Sequence, residues 1–511
     1  MSVVVHAPLN RPLWLEHADT AFPALEGEID VDVAVVGAGI TGATAAYLLK
    51  RAGKRVALLE TNRIAFGATG YTTAKLTVGH SLVYSDLVDS FGVETARLYA
   101  RSNQEAIERV AALVQEHGID CDFERTSNYV YVEAASAVAA IEREVDAAQA
   151  AGVAAELTTE TDLPYEVAAA VRVEAQAQFH PWKYVAALVR LVDGDGSHVF
   201  ESTRATAVRS GGVCTVETVG GRIRAEHVVV ATQLPFLDRG FLFTKAHPTK
   251  SYAIASTVDE ETAPRGMYIS ADAPTRSVRS TPGPVGRRVL VVDGEGHKPG
   301  NDPDIDERYK RLEQFLHERF GAGAADYRWS THDYTPVDRL PYIGRLRRRD
   351  EHVLSATGFA KWGMTKGTLA AMLLTDTIVG RSNDYAALYD ANRLDIRRSA
   401  LRFAKENGAV AAFFFRDRLR TRDSRQAIER LTPGEGTIIR AGTKQYAVHR
   451  DDEGELHTLS ARCTHLGCIV DWNPADRAWE CPCHGSRFAG DGTLVQGPAT
   501  TDLPRLEVGG Y

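Results

Sequence analysis

The sequence predicts a Rossmann-like α/β domain, an α+β domain inserted into it, and a small all-β domain near the C-terminal end. Three observations carry this reading. The apolar run 31–36 passes straight into Gly37-Ala38-Gly39-Ile40-Thr41-Gly42 and then into a small-residue and leucine stretch, 43–49, the strand, glycine turn and helix that a dinucleotide site requires. Helical spacing over 86–158 gives way to β-branched, alternating runs at 164–180 and 246–295, the pattern of helices and a sheet in one unit. From Gly436 onward, short strand-like runs are broken by turns such as Asp451-Asp452-Glu453-Gly454, as in a small all-β domain.

The first element is the nucleotide turn. Its glycines permit a tight turn, close approach of backbone to a pyrophosphate and close helix packing. The pyrophosphate would rest on the helix N-terminus, where unpaired N–H groups favour an anion. A second apolar strand, 55–59, ends in Glu60, eighteen residues after Gly42, where a carboxylate can accept both ribose hydroxyls of an adenine dinucleotide. Periodicity leaves NAD and FAD open at this point.

Bulk properties exclude several classes. A length of 511 residues corresponds to about three domains at ~150 residues each. The hydrophobic and charged fractions, 44% and 25%, are those of an ordinary globular chain. A net charge of −8 argues against nucleic acid as a partner, since neutralising phosphates needs a basic face. No run reaches the roughly 18 apolar residues of a transmembrane segment, and the start lacks a basic leader or a twin arginine, so a cytoplasmic location is expected. Of six cysteines, Cys121 and Cys214 stand apart and read as small buried hydrophobes.

The other four cysteines lie in Cys463-Thr464-His465-Leu466-Gly467-Cys468 and, after twelve residues, Cys481-Pro482-Cys483-His484-Gly485-Ser486. Two thiolates and two imidazoles suit a Rieske [2Fe–2S] centre, with Cys463 and Cys481 on one iron and His465 and His484 on the other. A tetrahedral zinc site accepts the same four ligand types, but it leaves Cys468 and Cys483 without a purpose. The two strings resemble the cytochrome bc-complex type of Rieske domain. That resemblance implies a Cys468–Cys483 disulfide, a proline loop at Gly497-Pro498-Ala499, and a Ser486 hydroxyl on a bridging sulfide. It also implies a tyrosine at position 488, where this chain has Phe488. Hydrogen bonds to cluster sulfurs raise the potential, so a potential below that of the bc proteins is expected. A disulfide is unusual in a cytoplasm that keeps thiols reduced.

The dinucleotide half, over roughly residues 30–382, resembles the D-amino-acid oxidase superfamily of FAD-dependent oxidoreductases. The shared segments are the run 31–42, Glu60, Gly67-Ala68-Thr69-Gly70, the strand 228–232, Thr335-Pro336-Val337-Asp338-Arg339-Leu340-Pro341, and Ala356-Thr357-Gly358-Phe359-Ala360-Lys361-Trp362-Gly363-Met364. Tyr71-Thr72-Thr73-Ala74-Lys75 resembles a segment of a bacterial subgroup in which this half is fused to a Rieske domain. The resemblance implies a glutathione-reductase-type FAD-binding domain at 30–80, 179–240 and 331–382, and a substrate domain at 81–178 and 241–330. A connector at 383–427 and a Rieske domain at 428–511 complete the chain. It further implies FAD contacts from Gly37, Gly39, Ile40, Thr41, Gly42, Glu60, Val208, Ala231, Thr232, Gly358, Gly363 and Met364. Thr72, Thr73 and Lys75 are read either as flavin contacts or as loop packing.

Gly358 and Gly363 would turn the chain into the apolar helix 368–379, whose N-terminal partial charge would favour an anionic reduced flavin. Lys361 is either a second positive group there or an exposed turn lysine. His297 is either an active-site border residue or surface filler, in a loop whose glycines are too late in register for a second dinucleotide motif. Phe179-His180-Pro181-Trp182 reads as a structural turn into a helix. In the connector, Phe413-Phe414-Phe415 flanked by arginines reads as domain packing or as contact with a membrane surface.

The function expected is a dehydrogenase for an amine or amino-acid-like substrate, passing electrons singly from FAD to the cluster and on to an external one-electron acceptor. Reversed electron flow into the flavin and a non-catalytic redox sensor are the rivals. No catalytic base is assigned, since amine oxidation by hydride transfer to flavin needs none.

Overall fold

The computed structural model describes residues 11–299, 305–393 and 424–506. The connector's arginines and its Phe413-Phe414-Phe415 lie outside them.

The nucleotide domain is built on a sheet in the order Tyr342–Arg345, Val353–Thr357, Gly221–Val230, Gly27–Val36, Val56–Leu59, His198–Phe200. The four pairings between Val353–Thr357 and His198–Phe200 are parallel. Parallel strands are covered on both faces, hence their continuous apolar runs; Val33, Ala34, Val35, Val228, Val229 and Val230 are all buried. The helix Ile40–Arg51 follows the glycine turn and packs on the helix Gly363–Ile378. The latter begins at Gly363, a turn and more before the apolar run at 368 that signalled it. Pro181 opens the helix Pro181–Val192, and His180 caps it by accepting from the Lys183 N–H, the position where proline's missing N–H costs nothing.

The second sheet runs Tyr327–Pro336, Ala246–Asp259, Arg287–His297, Arg276–Pro282, Met267–Ser270, Glu124–Val132, Ala169–Gln178, Lys75–Leu76. Two features differ from the sequence reading. The strand Glu124–Val132 interrupts the stretch of helical spacing between the helices Val93–His117 and Val138–Ala150, because its Tyr129-Val130-Tyr131-Val132 end favours a pleated, half-buried surface. The edge strand Tyr327–Pro336 straddles residue 330 and pairs along its length with Ala246–Asp259. His297, expected in a loop, closes the strand Arg287–His297 together with Gly294 and Gly296.

The C-terminal unit has a three-stranded and a four-stranded antiparallel sheet. Its core gathers Trp479, Phe488, Leu459 and all four loop cysteines. Among the described helices none is long and apolar enough to cross a membrane.

Candidate active site and cluster loops

The glycine turn is shaped by close backbone approach. Gly37 has φ +102° and its missing Cβ would lie 2.6 Å from the Ala231 carbonyl oxygen. A Cβ on Gly42 would lie 1.8 Å from the Gly37 oxygen. Glu60 is held in place by two backbone donors, Ala38 N–H and Asn62 N–H, each at 3.0 Å. Burial pushes its carboxyl up, against those N–H groups. A dinucleotide fits such a cradle: bare backbone over a helix N-terminus, with a fixed carboxylate at the end of the second strand.

The turn opens into a cavity of about 370 Å³. Of the residues expected to touch cofactor, Gly37, Gly39, Ile40, Thr41, Glu60, Thr72, Thr73, Ala231, Thr232, Gly363 and Met364 line it. Gly42, Lys75, Val208 and Gly358 do not. Gly42 and Gly358 sit behind the wall, where a Cβ on Gly358 would lie 2.7 Å from Pro336. Lys75 turns into the second sheet and donates to Tyr268 O and Ser277 Oγ at 2.5 and 2.7 Å; burial lowers its pKa to about 7. Val208 packs in the sheet core, with its carbonyl accepting from Arg239.

Lys361 lines the cavity, and its N–H donates to the Asp333 carboxylate. His297 lies outside the lining, stacked on Tyr252 with its Nε2 3.0 Å from the Tyr252 hydroxyl. Asp293 and Asp333 also line the cavity, and burial raises both carboxyls.

The cluster loops share one backbone pattern. Cys463 N–H donates to Cys468 O, and Gly467 N–H returns to Cys463 O. Cys481 N–H donates to Ser486 O, and Gly485 N–H returns to Cys481 O. Cys468 and Cys483 form a disulfide between the loops, with the Cys481 sulfur beside it. The His465 and His484 rings stand at 90° with centroids 5.0 Å apart, and both Nδ1 atoms are buried without a hydrogen-bond partner. Burial, then His465, lowers the His484 pKa to about 3, which keeps the imidazole neutral as a ligand must be. Two buried, unbonded imidazole nitrogens, in loops whose Cys463 and Cys481 thiols hydrogen-bond to each other, are a donor set that fits a two-iron cluster. Ser486 Oγ accepts from Ala499 N–H at 3.1 Å, tying the proline loop to the second cluster loop. Phe488 is fully buried beside Trp479.

Besides the proline loop Gly497-Pro498-Ala499, the tertiary structure brings to the cavity residues that the sequence did not single out. The cavity's far wall is Arg487 and the segment from Leu494 to Thr500, both from the C-terminal domain. Gln496 Nε2 donates to Gln233 Oε1 at 2.6 Å, and Arg204 reaches Leu494 O at 2.9 Å. Behind this wall Lys250 Nζ donates at 2.6 Å to both Asp476 and Glu480, and Asp476 also accepts from Ser330 and Arg487. Burial opposes the Asp476 charge, but Lys250 and Arg487 together outweigh it and hold the carboxyl well below the usual range. His332, buried with both ring nitrogens unbonded, lies 3.8 Å from Glu480. Nothing local marks these residues, which meet across the domain boundary from distant parts of the chain.

Residues 32–377 match the FAD dependent oxidoreductase family and 426–507 the Rieske [2Fe-2S] domain. The chain is 34% identical over 97% of its own length, and 97% of the relative's, to the Rieske 2Fe-2S iron-sulfur protein YhfW of Bacillus subtilis (strain 168). It is 25% identical to gamma-glutamylputrescine oxidoreductase of Escherichia coli (strain K12), over 72% of this chain and 88% of that one. Glycine oxidase from Geobacillus kaustophilus superposes with a TM-score of 0.61 at 19% identity, covering 71% of this chain and 99% of that one. With its glycine cradle, fixed Glu60 and paired cluster loops, this chain belongs to the family of FAD dependent oxidoreductases and carries a C-terminal Rieske [2Fe-2S] domain.

Proposed function

We propose that the protein is a dehydrogenase for an amine or amino-acid-like substrate whose electrons leave singly through the Rieske cluster to an external acceptor. The observation that carries this is the composite cavity: the nucleotide turn forms one wall and the cluster domain, through Arg487 and Leu494 to Thr500, forms another. The similarity to gamma-glutamylputrescine oxidoreductase supports an amine substrate.

Held by the cradle at Gly37, Gly39 and Glu60, FAD would supply two-electron oxidation of a substrate C–N bond, and a cluster held by Cys463, His465, Cys481 and His484 would supply one-electron transfer. The chain's own residues prepare this. The backbone at Gly37 and Gly39 leaves room for the pyrophosphate and Glu60 stands where the ribose hydroxyls would be held. The N-terminus of the helix Gly363–Ile378 opens on the cavity through Gly363 and Met364, so its partial positive charge favours an anion there. Lys361 adds a cation on the same side. Asp293, hydrogen-bonded to Ser251, offers a carboxyl oxygen as acceptor to an amine group.

Anaerobic stopped-flow mixing with a panel of amines and amino acids tests the reading. Flavin absorbance should bleach first and the cluster signal second. A cluster that stays oxidised beside a fully bleached flavin overturns the relay, and cluster reduction by an outside donor ahead of the flavin establishes the reverse flow.

A further inference from the structure

We propose that Asp238 is a positioning residue for the cluster, supplied by the flavoprotein half: its carboxylate takes the Nε2–H edge of His465, seats the Rieske domain and holds the cluster at a lower potential. The inference deepens the electron-carrier reading above and rests on it.

Both cluster-loop histidines bury an unbonded Nδ1, which leaves the Nε2 edge of His465 for a contact outside its own domain. His465 Nε2 donates to Asp238 Oδ1 at 2.8 Å, and the His465 side chain is only 4% exposed. Phe243, five residues on, stands edge-on to both rings, at 6.0 Å from His465 and 5.3 Å from His484. One short segment thus caps the histidine side of the cluster. It is anchored to the nucleotide domain by Arg239, which donates to Ser210 Oγ at 2.9 Å and to Val208 O, and by Arg347, which donates to the Arg239 carbonyl at 3.0 Å.

A carboxylate on the far nitrogen of a ligand imidazole orients the ring and makes it a stronger electron donor. The reduced cluster carries one more negative charge than the oxidised one, so an anion at this place disfavours reduction. While the halves are docked, an external acceptor cannot use the His465 Nε2 edge.

The test is a mediated redox titration of the full-length holoprotein with a chemical reductant and no substrate, followed by the EPR signal of the reduced cluster. Asp238→Asn should raise the potential, shifting the ratio of reduced to oxidised cluster at fixed ambient potential by about tenfold, which is about 59 mV for one electron. Asp238→Glu should restore the wild-type value. Asp502→Asn, which removes a carboxylate paired with Arg204 at the same interface, should leave the potential in place. An unshifted Asp238→Asn cluster, or an equal shift in Asp502→Asn, overturns the proposal. Because no substrate is used, failure of substrate-driven cluster reduction would leave this result standing.

Discussion

The Tyr334 hydroxyl donates to the backbone carbonyl of His484 at 2.7 Å. The preceding residue, Asp333, accepts the N–H of Lys361 in the loop before the cavity-facing helix. Successive side chains of a strand point to opposite faces, so one edge strand touches the cavity loop with one residue and a cluster loop with the next.

Tyr334→Phe removes that bridge and leaves the buried His484 carbonyl short of a donor, at a cost of about 1 kcal/mol. Stopped-flow traces should show an unchanged rate of flavin bleaching and a several-fold slower arrival of electrons at the cluster. Equal slowing of both phases would assign Tyr334 a purely structural part.

Lys250 neutralises two buried carboxylates at once. Lys250→Met strands Asp476 and Glu480 with Arg487 as their remaining cation, and breaking such a buried pair costs roughly 3–5 kcal/mol. Thermal unfolding monitored by cluster absorbance should shift to lower temperature in this variant, and an unchanged midpoint would show that the network contributes nothing to holding the halves together.

Glu60→Gln keeps the side chain's shape and removes the charge that a ribose diol would meet. Hydrogen bonds to a charged group are worth about 1.5–3 kcal/mol, so FAD affinity should fall by roughly tenfold to a hundredfold. Fluorescence titration of the apoprotein reads this directly.

Lys75 makes stability depend on pH. Its amine is pushed from the ordinary 10.5 to about 7 by burial, so the unfolded chain holds more protons on it between those values. The penalty is therefore full below about pH 7 and fades as pH rises towards 10.5. Denaturant unfolding at pH 7 and pH 9 should show a gain with pH in the wild type that Lys75→Met lacks.

Phe488→Tyr places a phenol where the bc-type resemblance has a donor to a cysteine sulfur. The cluster potential should rise by roughly 20–60 mV, the equivalent of one hydrogen bond of about 0.5–1.5 kcal/mol for one electron. Mediated titration would register the shift, and a potential that does not move would remove Phe488 from the account of a low-potential cluster.

The nucleotide turn and the cluster loops were legible because their chemistry is local. A buried strand, a turn that excludes Cβ atoms and an acid at the next strand end all lie within Val31 to Glu60, and each half of the cluster motif spans six residues. The strand Glu124–Val132 was harder to read, since helical spacing on both sides masked a short aromatic and β-branched run. The choice between flavin contact and packing for Lys75 stayed open for a related reason: position beside the flavin segment says nothing about which way one side chain turns, and the second sheet offers its amine two oxygens.

By itself, then, the sequence determined the kinds of unit present, the glycine turn at Gly37 with Glu60 at the next strand end, and two Cys/His loops, each with a neighbouring cysteine. Only the tertiary structure decided that the two redox units share a wall, that Arg487 and Gln496 face the nucleotide turn's cavity, and that Asp238 meets His465. Backbone turns and metal-ligand spacing are set by steric rules over a few residues. Asp238 and His465 are 227 residues apart, and they meet where Lys250 of the flavoprotein half is buried against Asp476 and Glu480 of the C-terminal domain, a contact between distant parts of the chain that no local steric rule sets.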